Sequence, residues 1–319
     1  MIDSSKNNFL INAEVDKYLE NSLKTSSLSN GYIFYGPEGV GKKQTAFKFI
    51  KGILKQHSLN KNIENKISIN NHPDLFLIKP KDLNKVQISK NAEKEYSENN
   101  NLEIIKIEQV RKIKVFLSQK SMDSEKKIVF IDNAHLLNEA ASNCLLKTLE
   151  EPNNGIFILI TPRLNLLLDT IRSRCQLVKF KSFSKDQIEI FLQNNLDSEI
   201  SSINKNLNFQ DLVNLANGSP GKLLSKIQIL NEISDEILEK LESPLKEEIE
   251  ILDISKLISE QLEVFKQISL IEYLQYIWWR QTKNKNIIKN LEKLKSHLKN
   301  YIQPRLAWEV ILIKINLDL

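Results

Sequence analysis

The sequence predicts an α/β plus all-α protein, with one α/β domain followed by two helical domains. Three observations support this. Five short apolar runs alternate with helix-period stretches up to residue 180, as in a parallel sheet with helical crossovers. Beyond Phe180 the strand pattern ends and amphipathic helices continue. A glycine-rich segment, GPEGVGKKQ (36–44), lies between the first apolar run and a helical stretch.

The apolar runs are each short enough for one strand. An amphipathic helix is expected at 14–28, before the first of them. The predicted strands are YIFY (32–35), DLFLIKP (74–80), KKIVFID (126–132), GIFILIT (155–161) and CQLVKF (175–180). The helical stretch before the fourth strand stops at Pro152, which cannot continue a helix. Two Asn- and Lys-rich stretches, 56–72 and 81–101, predict long surface loops.

These patterns divide the chain into three domains. A P-loop α/β domain is expected at 1–180, a small helical lid domain at 181–231 and a C-terminal helical domain at 232–319. A chain of 319 residues is long enough for two or three domains.

Composition sets limits on location and partners. The formal charge of +5 permits contact with nucleic acid but does not indicate it, because dedicated binders concentrate their basic residues. Two cysteines, Cys144 and Cys175, favour a reducing compartment over a disulfide framework. No signal peptide and no apolar run of roughly 18 residues is found, so we expect a cytoplasmic protein without membrane contact.

The glycine-rich segment nearly matches a phosphate-binding loop. Gly36, Gly41 and Lys42 fit the pattern G-x-x-x-x-G-K-[ST], and Gly39 adds a further flexible position. Such glycines let backbone N–H groups surround phosphate oxygens. Lys43 stands where a Ser or Thr hydroxyl would bind Mg²⁺, so the nucleotide site is expected to be degenerate.

The third predicted strand ends in the acid that a P-loop protein uses to hold Mg²⁺. This acid is Asp132, and the following residue is Asn133, which cannot activate water as a Glu would. His135 is a conceivable base, although a structural place at the start of a helix is the more frequent role. The missing hydroxyl and the missing Glu together favour an inactive site.

A second charged motif, TIRSRC (170–175), precedes the last predicted strand. Arg172 and Arg174 would by default form surface ion pairs. Their planar guanidinium groups also suit a γ-phosphate, which an arginine finger reaches across a subunit interface.

Several motifs resemble the clamp-loader branch of the AAA+ ATPases. They are LLKTLEEP (145–152) followed by a strand and TIRSRC, together with HPDLFLIKP (72–80), IKIEQVRKIKVFL (105–117) and GSPGK (218–222), all in family order. The resemblance implies an AAA+ P-loop domain, a helical lid and a helical collar that holds an oligomer together.

The resemblance also implies residue roles. Arg174 matches the trans arginine finger, and Thr161 stands at the sensor-1 position. Lys222 replaces the sensor-2 Arg. It keeps the positive charge but lacks the planar, two-pronged set of donors of a guanidinium. Cys175 is expected to pack beside Arg174 and not to react. ATP or ADP is possible in the degenerate site. Zinc is not expected, because no cysteine lies between Lys51 and His72.

Within this branch, the degenerate site favours a stator subunit with no ATPase or polymerase activity of its own. The implied partners are the gamma/tau and delta subunits in a hetero-pentamer, the sliding clamp, and primer-template DNA through the assembly. Two alternatives stay open: a catalytically active clamp-loader ATPase of the gamma/tau kind, and a DNA-binding module. For the latter, YIWWRQ (276–281) could stack bases, but aromatics at helical spacing are more often core.

Overall fold

A computed structural model describes residues 12–25, 27–57, 72–80, 104–195, 209–245 and 247–318. The chain forms two compact units, Met1–Gln187 and Ile188–Leu319. The predicted loops at 56–72 and 81–101 fall almost entirely outside the described residues. The division into three domains stays a prediction.

The first unit is built on a parallel five-stranded sheet in the order β2-β3-β4-β1-β5. Every strand pair is parallel. The strands are β1 (Gly31–Tyr35), β2 (Leu75–Ile78), β3 (Lys127–Ile131), β4 (Gly155–Thr161) and β5 (Gln176–Lys179). The three central strands are nearly continuous apolar runs because helices cover both faces of a parallel sheet. The predicted α/β sheet is confirmed.

The helix expected at 14–28 is present but ends at Lys24, so the prediction was too long at its C-terminal end. Asn138 begins the helix before β4 by accepting a hydrogen bond from the backbone N–H of Ala141 at 2.8 Å. The helices are α1 (Ala13–Lys24), α2 (Lys42–Gln56), α3 (Ile107–Ser118), α4 (Glu139–Glu150), α5 (Asp169–Arg172) and α6 (Lys185–Asn195), the last of which continues into the second unit.

A buried carboxylate anchors the segment before β3. Asp74 is 1% exposed, and its Oδ2 accepts hydrogen bonds from the backbone N–H groups of Asp123 and Ser124 at 2.7 and 2.8 Å. Its Oδ1 accepts from the N–H of Met122 at 2.9 Å. The Asp of the HPDLF motif is therefore a structural residue that ties the start of β2 to a turn some 50 residues later.

Lys127 is a second buried charge with a structural role. Its ammonium donates to the carbonyls of Phe116, at 2.6 Å, and Gln119, at the C-terminal end of α3. The same ammonium lies 4.7 Å from the centroid of the Phe116 ring. A cation at this position is stabilised by the negative end of the helix dipole.

The second unit is all-helical where it is described, which confirms the predicted loss of strands. One core cluster of this unit extends from Leu230 to Ile315 and includes the fully buried Trp278 and Trp308. Its helices after α6 are α7 (Phe209–Ala216), α8 (Pro220–Asn231), α9 (Asp235–Lys240), α10 (Glu248–Gln261), α11 (Val264–Thr282), α12 (Lys285–Lys299) and α13 (Pro304–Leu317). None of the described helices combines the length and apolar character of a membrane span.

The two adjacent tryptophans of YIWWRQ have different environments. Trp278 is core, and its indole N–H donates to the carbonyl of Leu241 at 2.9 Å. Trp279 is 37% exposed, with the ammonium of Lys283 5.6 Å from its ring centroid. The prediction that these aromatic residues belong to the core is therefore confirmed for Trp278 and wrong for Trp279.

Candidate functional site

The glycine loop joins the end of β1 to the start of α2. Gly36, Gly39 and Gly41 all have positive φ, at 137°, 72° and 85°. At Gly36 a Cβ would approach the carbonyl oxygen of Phe180 to 2.2 Å, so a side chain there would displace backbone. The backbone thus has the glycine-dependent form that the motif predicts.

Lys42 turns back into this loop. Its ammonium donates to the carbonyl of Gly36 at 2.7 Å and to that of Pro37, and the residue is buried. The cation that would neutralise phosphate is therefore held at the centre of the loop by backbone oxygens.

Lys43 contacts the acid at the end of the neighbouring strand. Its Nζ lies 2.6 Å from Oδ2 of Asp132, which directly follows β3. The Lys43 side chain is 45% exposed and that of Asp132 is 14% exposed. An ammonium group therefore binds the carboxylate that P-loop proteins use for Mg²⁺. The residues present do not fit this metal, since Lys43 offers it no oxygen and repels it.

The residues after Asp132 turn into a short 3-10 helix, Ala134–Leu136. Asn133 adopts φ of 51°, a left-handed conformation that Asn tolerates well. Burial lowers the pKa of His135, and the positive charge of Arg163 lowers that pKa further. The imidazole of His135 is therefore neutral at neutral pH, and its Nδ1 has no hydrogen-bond partner among the described residues.

Thr161 ends β4 beside Tyr35, its partner in the parallel register. It is fully buried, and its hydroxyl accepts from the N–H of Arg163 at 3.0 Å. The same hydroxyl donates to the Arg163 carbonyl at 3.1 Å. The sensor-1 candidate thus holds the turn that follows its own strand.

Arg174 lies between α5 and β5. Its guanidinium donates to Oε1 of Glu150 at 2.6 Å and to the carbonyl of Thr170 at 3.0 Å. The Arg174 side chain is 36% exposed. Arg172 instead pairs with Asp169 at 2.9 Å. The two arginines of the motif therefore have separate acidic partners.

Cys175 follows this arginine directly in sequence. It is buried, and burial raises the pKa of its thiol to about 12. At Gly31 a Cβ would meet its sulfur at 2.7 Å, so the thiol sits closely against β1. The thiol is protonated at neutral pH, which fits packing and not nucleophilic reactivity.

Lys222 belongs to the second unit, in the first turn of α8. Its backbone N–H donates to the side chain of Ser219, the N-cap of that helix, at 3.3 Å. The sensor-2 role of Lys222 stays a prediction, as do the nucleotide-binding roles of the glycine loop.

The first unit brings the predicted loop residues and Asp132 together at the carboxyl ends of the strands, where ligands bind in parallel sheets. Two relationships were not foreseen: the Lys43–Asp132 pair and the Arg174–Glu150 pair. Nothing in local sequence identifies partners that lie 89 and 24 residues apart. Across the described ranges, no three His, Cys, Asp or Glu side chains cluster as metal ligands.

Comparison with known proteins gives two family matches. A model described as DNA polymerase III, delta subunit, matches residues 11–184. A model described as the cyanobacterial DNA polymerase III delta prime C-terminal domain matches residues 187–315.

Two curated relatives come from Bacillus subtilis (strain 168). Its DNA polymerase III subunit delta' is 33% identical over 181 residues, which is 55% of this chain and 49% of that protein. Its DNA polymerase III subunit tau is 28% identical over 232 residues, which is 72% of this chain and 38% of that protein. The matches span half or less of these relatives.

A solved structure shows the same fold over most of the chain. It is a DNA polymerase III gamma subunit-related protein from Thermotoga maritima, with a TM-score of 0.56 and 18% identity. The alignment covers 93% of this chain and 98% of that chain. At this identity the likeness shows fold alone.

The sheet order, the glycine loop and this likeness define the fold as that of an AAA+ P-loop domain followed by helices. The first family match spans more than half of the chain, and the second continues it almost to the end. The chain therefore belongs to the DNA polymerase III delta subunit family, and its relatives and C-terminal match place it with delta prime.

Proposed function

We propose that this chain is the delta-prime stator subunit of the bacterial DNA polymerase III clamp loader. It supplies Arg174 in trans to ATP bound by a neighbouring gamma/tau subunit while the sliding clamp is loaded onto primed DNA in replication. The observation that carries the proposal is the contrast between an accessible arginine and a site that lacks hydrolytic groups. Such a protein acts in the cytoplasm.

The environment of Arg174 supports this role. Its guanidinium is partly exposed and is oriented by a backbone carbonyl and by Glu150, which is itself half exposed. Exposed ion pairs contribute only about 0.2–1 kcal/mol, so a phosphate can displace the carboxylate at small cost. Glu150 accepts one N–H bond from the guanidinium here, whereas a phosphate can accept two, so the exchange provides a stronger partner.

The chain's own nucleotide site is not suited to hydrolysis. Asn133 replaces the acid that would activate water, and Asp132 is engaged by Lys43. Residual binding of ATP or ADP is compatible with the intact glycines and Lys42, which form the part of the loop that surrounds phosphates.

The second unit offers a surface for assembly into a hetero-pentamer with gamma/tau and delta. Helices α10 and α13 carry an exposed apolar set, the collar surface: Ile249, Leu252, Leu306, Val310 and Leu317. Groups of exposed apolar residues on neighbouring helices are candidates for interaction sites in soluble proteins. We assign this surface to contact with the other subunits. The clamp and primer-template DNA would be reached through the assembly.

The test is ATP hydrolysis by a loader reconstituted with gamma/tau, delta, clamp and primed DNA. Arg174→Ala is expected to lower the rate in one neighbouring site, within the about 10³–10⁵-fold range of arginine fingers. Arg172→Ala is the matched control, because it removes a guanidinium from the same helix end. A loader that keeps full activity with Arg174→Ala would overturn the proposal.

The alternative is a catalytically active clamp-loader ATPase. The position of Lys42 in the loop and the conformations of the glycines support it. It requires that the isolated chain hydrolyses ATP and that Lys42→Ala abolishes this hydrolysis. If Lys42→Ala damages the loader and Arg174→Ala does not, this alternative replaces the stator.

A further inference from the structure

The degenerate loop contains its own replacement for a metal ion. We infer that the Lys43 ammonium takes the place of the divalent cation in this site, so that the folded chain excludes Mg²⁺ from Asp132. This concerns the chain's own loop, and it holds whether or not Arg174 acts on a neighbour.

The first support is the position of Lys43 in the motif. A Ser or Thr at this place supplies one of the protein oxygens that bind Mg²⁺, and the acid after β3 supplies another. Lys43 removes the first oxygen and extends a positive charge to the second, Oδ2 of Asp132. One residue thus changes both protein contributions to the metal.

The second support is distance. Mg²⁺ demands oxygen ligands at about 2.0–2.1 Å in octahedral order. At 2.6 Å from Oδ2, the Lys43 ammonium already makes a short, charge-assisted hydrogen bond to that oxygen. A divalent ion on the same oxygen would face the ammonium at close range, where like charges repel, so the ion and the ammonium compete for that oxygen.

The third support is the charge of the surroundings. Burial, Arg163 and Lys42 lower the pKa of His135, while Glu38 and Asp132 act in the opposite direction. The ammonium of Lys43, beside Asp132, adds a third cationic group to Arg163 and Lys42. An added divalent cation at Asp132 would be repelled by these three groups.

The chemical consequence concerns the form in which an anion could enter. Phosphate oxygens would find backbone N–H groups and Lys42, as in other glycine loops. Their remaining charge would be balanced by Lys43, a group that belongs to the chain. A nucleotide accepted here would thus be the free anion and not the magnesium complex.

The test uses the isolated full-length chain and Mn²⁺ with ATP, detected by electron paramagnetic resonance of the bound ion. Wild type is expected to take up no Mn²⁺ in an ATP-dependent manner. Lys43→Thr, which restores the hydroxyl and frees Asp132, is expected to gain such uptake by at least about tenfold in affinity.

Two further variants make the result decisive. Lys51→Thr carries the same change at an exposed position of the same helix and is expected to behave as wild type. Lys43→Thr, Asp132→Asn should lose the gain again. Circular dichroism melting of each variant verifies that it is folded.

Either of two outcomes overturns the inference. ATP-dependent Mn²⁺ uptake by wild type would show that Lys43 leaves Asp132 when metal arrives. Absence of uptake in a folded Lys43→Thr chain would show that another feature excludes the ion. Neither result bears on Arg174, because no neighbouring subunit is in the experiment.

Discussion

The carboxylate of Glu150 and the guanidinium of Arg174 lie 2.6 Å apart. Glu150 is the last residue of α4, and Arg174 follows α5, so the pair joins the LLKTLEEP motif to the TIRSRC motif. Both side chains are partly exposed, which leaves the arginine oriented but available.

Glu150→Gln should make it easier for the Arg174 guanidinium to exchange its partner at residue 150 for a phosphate. The amide keeps a hydrogen-bond acceptor but removes the charge that competes with phosphate. Because exposed pairs contribute up to about 1 kcal/mol, we expect ATP hydrolysis in the reconstituted loader to rise by up to about fivefold. Glu151→Gln, an exposed acid one residue later, serves as control. A fall in the rate would mean that the orientation of Arg174 by Glu150 matters more than its competition with phosphate.

Asp74→Asn should loosen the turn before β3. The amide nitrogen would face backbone N–H donors that now bond a carboxylate, at a cost of about 1–3 kcal/mol. Hydrogen exchange at Met122, Asp123 and Ser124 should accelerate accordingly. Asp123→Asn alters the same turn without touching the acceptor. Unchanged protection at the three amides in Asp74→Asn would contradict this role.

Glu272 should make the second unit sensitive to acid. Burial opposes its ionisation, but Lys295 and Lys226, at 2.7 and 3.0 Å, outweigh burial and lower its pKa below the ordinary value for Glu. A lowered pKa gives stability that is present above the unfolded value and lost as pH falls through the folded one. Glu272→Gln should therefore cost about 1 kcal/mol at neutral pH and little in acid.

All three tryptophans lie in the second unit, so their fluorescence in urea measures this effect directly. Glu292→Gln is the control, since that exposed acid bonds the neutral Gln275. If the free energies of unfolding of Glu272→Gln and wild type differ by the same amount at every pH, the ion pairs of Glu272 do not cause the difference.

Cys175 should resist alkylation until the first unit opens. Burial raises the pKa of its thiol to about 12, so the thiolate is scarce at neutral pH. In Cys144→Ser, iodoacetamide labelling followed by mass spectrometry should be slow in buffer and fast in denaturant. Cys175→Ser leaves the more accessible Cys144 as the comparison. Equal native labelling rates would contradict the packed role.

Much of the fold was predictable because the signals are local. Each buried strand is a short apolar run, and the glycine loop lies between a strand and a helix, as its pattern requires. The loss of strands after Phe180 was equally clear. Local pattern also predicted which residues surround the loop, since parallel strands end at one edge of the sheet.

Pairings between distant side chains were not predictable. The positive charge of Lys43 was evident, but its contact with Asp132 depends on how α2 and β3 are placed in three dimensions. Asp74 and Lys127 are buried charges whose backbone partners lie far along the chain or in another element, and no local pattern identifies them. Trp278 and Trp279 are alike in sequence, and only helix rotation separates core from surface.

The Lys43–Asp132 pair also determines whether the charge around the glycine loop changes with time. A bound metal leaves with its ligand, and the charge around a loop then changes with each round of turnover. A lysine is covalently attached, so its charge stays beside Asp132 whatever the concentration of free ions. In the proposed clamp loader, such a subunit would keep one charge state at this loop while its neighbours bind and release nucleotide.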